Sequence, residues 1–170
     1  SLSGNFEIYA IFEEFLESLF DKKALLFNSG YHANIGIISS LNHLKNVLFL
    51  VDKSIHASHI DGLKSFKKLN FKRFLHNDMQ SLTNLLEKYH NHYEAIFILS
   101  EGIFSIEGDF AKLQNLIGLK HRFKNVYLYL DEAHSIGSFG DNGLGLAHSL
   151  DYLKDIDFLI PLHRFYRKYL

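Results

Sequence analysis

Val126-Tyr127-Leu128-Tyr129-Leu130-Asp131-Glu132-Ala133-His134 is the stretch whose reading decides the fold. Its first five residues are apolar or aromatic without a break, a run of strand length that reads as buried on both faces. The run then stops on an acid. The same event occurs upstream, where Ala95 to Leu99 runs into Ser100-Glu101. Val47 to Val51, Phe71 to Leu75 and Phe158 to Ile160 have the same strand character.

Amphipathic segments of helical length separate these strands. Phe6 to Phe20 carries Ile8, Ile11, Phe12, Phe15, Leu16 and Leu19 on one predicted face, with Glu13, Glu14 and Glu17 outside it. Ala33 to Leu44 is rich in small residues. Ile60 to Leu69 has Lys64, Lys67 and Lys68 near its end, where the helix dipole favours cations. Asp78 to Tyr89 has Asn77 or Asp78 available as a cap, and Leu113 to Phe123 follows. Strands alternating with helices predict an α/β fold, a mostly parallel sheet with helices on both faces. Ligands of such sheets sit beyond the carboxyl ends of the strands. The polar clusters after Leu99 and Leu130 therefore mark the candidate site.

Composition narrows the chemistry. The chain has 170 residues, 47% of them apolar, enough for one domain or a large piece of one. Its 18 basic and 19 acidic residues leave a net charge of −1, so no field of one sign draws nucleic acid or an anionic membrane. Cysteine is absent, which excludes disulfides, thiolate catalysis and cysteine-bound zinc. No apolar run approaches the ~20 residues of a membrane span, and no basic start with an apolar stretch marks a secretory signal. A cytoplasmic location is the default expectation. The 11 histidines include His56/His59 and His90/His92, but neither pair has a third ligand at a known metal spacing. His90-Asn91-His92 reads as a helix end in solvent.

Asp131-Glu132-Ala133-His134 taken alone has two other readings. One is the acidic segment of a nucleotide-driven helicase, which requires a G-x-x-x-x-G-K-[ST] phosphate loop that this chain lacks. The other is an aspartate capping the next turn. Four further segments qualify the choice. Ser29-Gly30-Tyr31-His32-Ala33-Asn34 precedes a helix and offers backbone N–H groups to an anion, or is a plain cap. His56-Ala57-Ser58 begins another helix, where a lone histidine is usually capping or half-buried. Glu101 to Asp109 and Gly137 to Gly145 are glycine-containing loops, generic when considered singly.

In order and spacing these segments resemble the α-oxoamine synthases, pyridoxal-phosphate enzymes of the aspartate-aminotransferase fold. The matching runs are Ser3-Gly4-Asn5, Phe27 to Asn34, Asp52 to Ser58, His76-Asn77-Asp78, Ser100 to Asp109 and Asp131 to Gly145. The resemblance implies the large domain of the pyridoxal-phosphate-dependent transferase fold type I, present incompletely over residues 1–160. It implies pyridoxal 5'-phosphate as cofactor and condensation of an acyl-CoA with a small amino acid. It implies a homodimer in the intact family member, with no nucleic-acid or membrane partner. Asp131 then matches the acid beneath the pyridine nitrogen, which keeps the ring an electron sink. His56 matches the histidine stacked on the ring. His134 and Ser105 match residues near the 3-hydroxyl. Ser29, Gly30 and Tyr31 match the turn around the phosphate. His56, Asp131 and His134 are thus the expected catalytic residues. Asn34 reads as structural, and Glu101 receives no catalytic role.

One departure bears on activity. The family pattern after Asp155-Ile156-Asp157-Phe158 calls for a threonine and then the lysine that forms the Schiff base. Leu162 and Phe165 stand in those places, and Lys168 lies three residues late in a tail without resemblance. Residues 161–170 are therefore expected to be a divergent tail, with a reading-frame change as its origin. The start without methionine adds to the expectation of a fragment, with low solubility or low activity alone. The alternative is a remnant that binds cofactor without catalysing anything.

Overall fold

The computed structural model describes residues 7–41, 43–65 and 70–161. Among the described residues five strands form one sheet: β1 (Val47–Asp52), β2 (Phe71–Phe74), β3 (Ala95–Glu101), β4 (Val126–Asp131) and β5 (Phe158–Ile160). Their spatial order is β2-β1-β3-β4-β5, and every neighbouring pair is parallel. The helices are α1 (Glu7–Phe20), α2 (Gly30–Leu41), α3 (Ala57–Lys64), α4 (Met79–Tyr89), α5 (Leu113–Arg122) and α6 (Gly145–Ser149).

The unbroken apolar runs are explained by cores on both faces. Leu48, Leu50, Ile96, Ile98, Leu128 and Leu130 pack with α4, α5 and α6. Phe49, Val51, Phe97, Leu99 and Tyr129 alternate with them and pack with α2 and α3. Burial of this kind stabilises by roughly 1.5–3 kcal/mol per large apolar side chain. The sequence order of the strands reverses direction at β1 and β3, so the crevice of the sheet opens between their carboxyl ends.

All five predicted strands are present, with ends shifted by a residue or two. The helix expected over Ala33 to Leu44 starts earlier, at Gly30, and ends at Leu41. The third begins at Ala57 rather than Ile60 and runs to Lys64; Lys67 and Lys68 lie outside the described residues. Asp78 caps α4 through Gln80 N and Ser81 N, and His90 forms its other cap with Nδ1 on Leu86 O.

The expected face of α1 is corrected. Ile8, Ile11 and Phe15 are exposed. Glu13 and Glu17 turn instead toward the following segment, where they accept from the backbone N–H groups of Leu26 (3.0 Å) and Ala24 (3.2 Å). The Ala24-Leu25-Leu26-Phe27 run lies outside the sheet, and these carboxylates satisfy amides that no neighbouring strand takes.

Candidate active site

Asp131 ends β4, and its register partner Glu101 ends β3. Both carboxylates are buried, at 6% and 4% exposure, at the mouth of the crevice. A buried acid needs donors, and Asp131 has two, with an imidazole nitrogen standing beside them. Its Oδ1 accepts from Ala133 N at 2.9 Å. Its Oδ2 accepts from Asn34 Nδ2 at 2.8 Å and faces His59 Nε2 at 3.3 Å. Among the described residues no lysine or arginine pairs with it.

Asn34 is the hub of this arrangement. Its amide nitrogen donates to Asp131 and to Ser58 Oγ (2.9 Å), and its carbonyl accepts from Tyr129 OH at 2.6 Å. Every polar atom of the side chain is therefore occupied. Burial, and then the nearby charge of Asp131, hold the Tyr129 hydroxyl well above its ordinary pKa, so it remains a donor.

The chain of contacts continues to His56. Ser58 Oγ lies 2.8 Å from His56 Nδ1, and Ser58 N donates to the same nitrogen at 3.2 Å. His56 therefore caps α3. Because Nδ1 is an acceptor, the neutral ring carries its proton on Nε2, on an exposed side chain. The backbone N–H of His56 donates to Glu101 at 2.5 Å. Burial raises the Glu101 pKa to about 7; the His56 N–H opposes the rise and the negative charge of Asp131 adds to it.

Ser29 lies where α2 begins. Its Oγ accepts from His32 N (3.2 Å) and its carbonyl from Ala33 N (2.9 Å). The Gly30 and Tyr31 amides are left by position without intrahelical partners. Tyr31 reaches across to α3, donating to Asp61 at 3.0 Å. Ser105 and His134 stand on exposed loops beyond β3 and β4. No side-chain hydrogen bond of either joins the network among the described residues.

Glu132 has a different role. It is fully buried and accepts from Leu146 N (2.8 Å), Ala147 N (2.7 Å) and Ser135 Oγ. It thereby caps α6 and fastens both ends of the 136–145 loop. That loop is built by Gly137, Gly140, Gly143 and Gly145 at positive φ.

The residues expected from sequence thus fall at one end of the sheet, on four separate segments. Asn34, Ser58, His59 and Tyr129, which join His56 to Asp131, were not expected as site residues. A separate cleft of about 810 Å³ between residues 20–30 and β5 takes in Ser29 and Gly30 but neither His56 nor Asp131. Its lining is mainly apolar, so the polar network marks the chemistry.

The aminotransferase class I and II model matches residues 2–159. The chain belongs to that family. Relatives in Haemophilus influenzae and Neisseria meningitidis, provisionally named 8-amino-7-oxononanoate synthase, are 49% and 48% identical over 160 residues. Those matches cover 94% of this chain but 42% of each relative, so the chain spans less than half their length. A serine palmitoyltransferase from S. paucimobilis, solved with a bound PLP–myriocin aldimine, superposes with a TM-score of 0.84 at 31% identity. It covers 94% of this chain and 39% of that one. The 8-amino-7-oxononanoate synthase of Francisella tularensis gives 0.67 at 32% identity, over 88% and 41%. The parallel sheet with helices is that of the pyridoxal-phosphate-dependent transferase fold type I, present in part. Serine palmitoyltransferase and 8-amino-7-oxononanoate synthase also bear out the α-oxoamine synthase resemblance.

Proposed function

We propose that this chain is the cofactor platform of a pyridoxal-phosphate-dependent acyltransferase that condenses an acyl-CoA with a small amino acid. The observation that carries the reading is Asp131. A buried carboxylate held by an amide and a backbone N–H, with an imidazole beside it that makes no hydrogen bond to it, lacks a full cation, and a protonated pyridine nitrogen supplies one. Its side chain keeps 7% exposure, an edge through which such a group can reach it. A solved relative with bound cofactor adds support.

The residues fit the group. Ser29, Gly30 and Tyr31 would hold the phosphate at the start of α2, where N–H groups and the helix dipole favour an anion. His56, fixed by Ser58 and by Glu101, would lie on the ring face with its Nε2 proton outward. Ser105 and His134 would approach the 3-hydroxyl from their loops. When bound, the ring draws off negative charge that develops at the amino acid's α-carbon. Asp131 keeps the nitrogen's proton in place, while His56 orients the plane and can hold or move a proton at Nε2.

In this reading residues 1–160 are part of a large domain, and 161–170 are a tail diverged by a frame change; 162–170 lie outside the described residues. The whole enzyme would be a cytoplasmic homodimer. Phe165 in place of the lysine makes the chain bind cofactor without a covalent link and leaves it inactive alone. An absorbance titration with pyridoxal phosphate, before and after borohydride, tests this. Uptake that remains dialysable after reduction is expected, and Asp131→Ala should abolish it. A stable adduct would refute the non-covalent part; absence of uptake would refute the whole reading.

A further inference from the structure

We propose that His59 is a positioning residue for Asp131, the two side chains holding one proton between them that sets how the carboxylate meets a cationic ring nitrogen. The inference rests on the reading of Asp131 given above and deepens it.

His59 is fully buried in α3. Its Nδ1 lies 3.2 Å from the carbonyl of His56. A carbonyl cannot donate, so Nδ1 carries a proton, and a neutral ring must present a bare lone pair at Nε2. That nitrogen faces Asp131 Oδ2 at 3.3 Å, outside the direction of a formed hydrogen bond. Among the described residues it is the buried side-chain nitrogen left without a hydrogen-bond partner. A lone pair against a carboxylate in a dry interior is repulsive. One proton between them reverses the sign of the contact and needs only a small turn of either group.

The surroundings leave that proton few other partners. Tyr129 meets the imidazole edge-on, with ring centres 5.8 Å apart, but its hydroxyl is committed to Asn34. Asn34, from α2, is neutral. Asp131 and the backbone carbonyl of His56 favour charge on His59, and the side-chain charge of His56 opposes it. Glu101, on β3, acts on the pair through its repulsion of Asp131. Burial pushes the imidazole pKa down, so it is the closeness of Asp131 Oδ2, at 3.3 Å, and not the ring alone, that must hold the proton. With Ala133 N on Oδ1, and Asn34 and His59 at Oδ2, the carboxylate plane is fixed from three segments.

The test uses the full chain with His59→Leu and His59→Gln. Without cofactor, nitrogen-15 shifts should show His59 Nδ1 protonated through neutrality and Nε2 displaced from a bare nitrogen. A bare Nε2 across that range overturns the proposal. With pyridoxal phosphate, followed by fluorescence, the pH profile of affinity should carry an inflection beyond that of the ligand's own phosphate, whose second ionisation lies at roughly pH 6. His59→Leu should lose the inflection and bind about tenfold more weakly, the scale seen when an outer partner of a ligand-holding group is removed. His59→Gln keeps an N–H donor without titrating, so it should recover affinity without the inflection; it also carries the test if His59→Leu fails to fold. If that further inflection survives in His59→Gln, it belongs to a group other than His59, such as Glu101, and overturns the proposal. If the unaltered chain shows the shared proton but takes up no cofactor, the pair stands and the reading of Asp131 falls.

Discussion

Asn34 Nδ2 and Asp131 Oδ2 lie 2.8 Å apart, joining the second turn of α2 to the end of β4 across 97 residues of chain. The contact makes the candidate cofactor acid part of a closed network that includes Ser58 and Tyr129. Asn34→Leu keeps the branching at Cγ, in a larger side chain, and strips three partners at once. Each buried polar group left unpaired costs about 1–3 kcal/mol, so a loss of at least about 2 kcal/mol is expected in urea unfolding. A change under about 0.5 kcal/mol would show the network to be replaceable.

Tyr129→Phe is the milder test. It removes one hydroxyl from an apolar run and leaves Asn34 Oδ1 without its donor. About 1 kcal/mol is expected. Cofactor affinity should fall less than in Asn34→Leu, because the Asn34 bond to Asp131 survives. Equal losses in the two variants would mean that Tyr129, not Asn34, fixes the carboxylate.

Gly145 and Gly108 allow a matched comparison, since both have positive φ, +89° and +69°. A Cβ at Gly108 meets nothing within 4 Å, whereas one at Gly145 would stand 2.4 Å from Glu132 Oε2 and 2.8 Å from Ile136. Gly108→Ala should cost about 1–2 kcal/mol, the backbone term alone. Gly145→Ala should cost clearly more, because the buried cap of α6 must move. Similar melting temperatures for the two variants would contradict the cap.

These residues also show what could be read from the chain itself. The strands were legible because doubly buried strands leave continuous apolar runs, and their acid endings located the site. The start of α2 was not, because Gly30 and Tyr31 are weak helix signals while Ser29 supplies the cap. α6 was hidden because its cap is Glu132, more than ten residues upstream. Asn34 and Tyr129 gain their roles from partners almost a hundred residues away, and Tyr129 looks like one more core aromatic. His59 offered one signal: a polar ring amid a helix face that otherwise packs on the sheet.

Glu101 yields a pH prediction. Its pKa is raised to about 7, so the folded state favours the protonated acid. The unfolded carboxyl ionises near its ordinary value of 4.5. As pH rises from there to about 7, the folded state is progressively penalised relative to the unfolded one. Glu101→Gln keeps an acceptor for His56 N and cannot ionise. Its stability relative to the parent should therefore increase with pH across that window and level off above it. A difference that is flat with pH in guanidinium unfolding would rule out Glu101 as the titrating group.

His76 gives the opposite slope. Its Nδ1 lies 2.9 Å from Asp52 Oδ1 and its Nε2 3.1 Å from both oxygens of Asp109. A ring whose two nitrogens both face carboxylates is best satisfied as imidazolium. Burial pulls its pKa down, but the bonds and charges of Asp52 and Asp109 outweigh this and raise it above 6.5. The stabilisation is then complete below the unfolded value and disappears as pH climbs through the higher folded one. His76 ties the ends of β1 and β2 to the loop bearing Ser105, assisted by Asn77 Nδ2 on Asp109 at 2.8 Å. His76→Gln should therefore be destabilised most near about pH 6, with the gap narrowing by about pH 9. Proteolysis within residues 102–109 should quicken in parallel, as the brace on that loop is lost. A gap that widens with rising pH would show that His76 is held neutral.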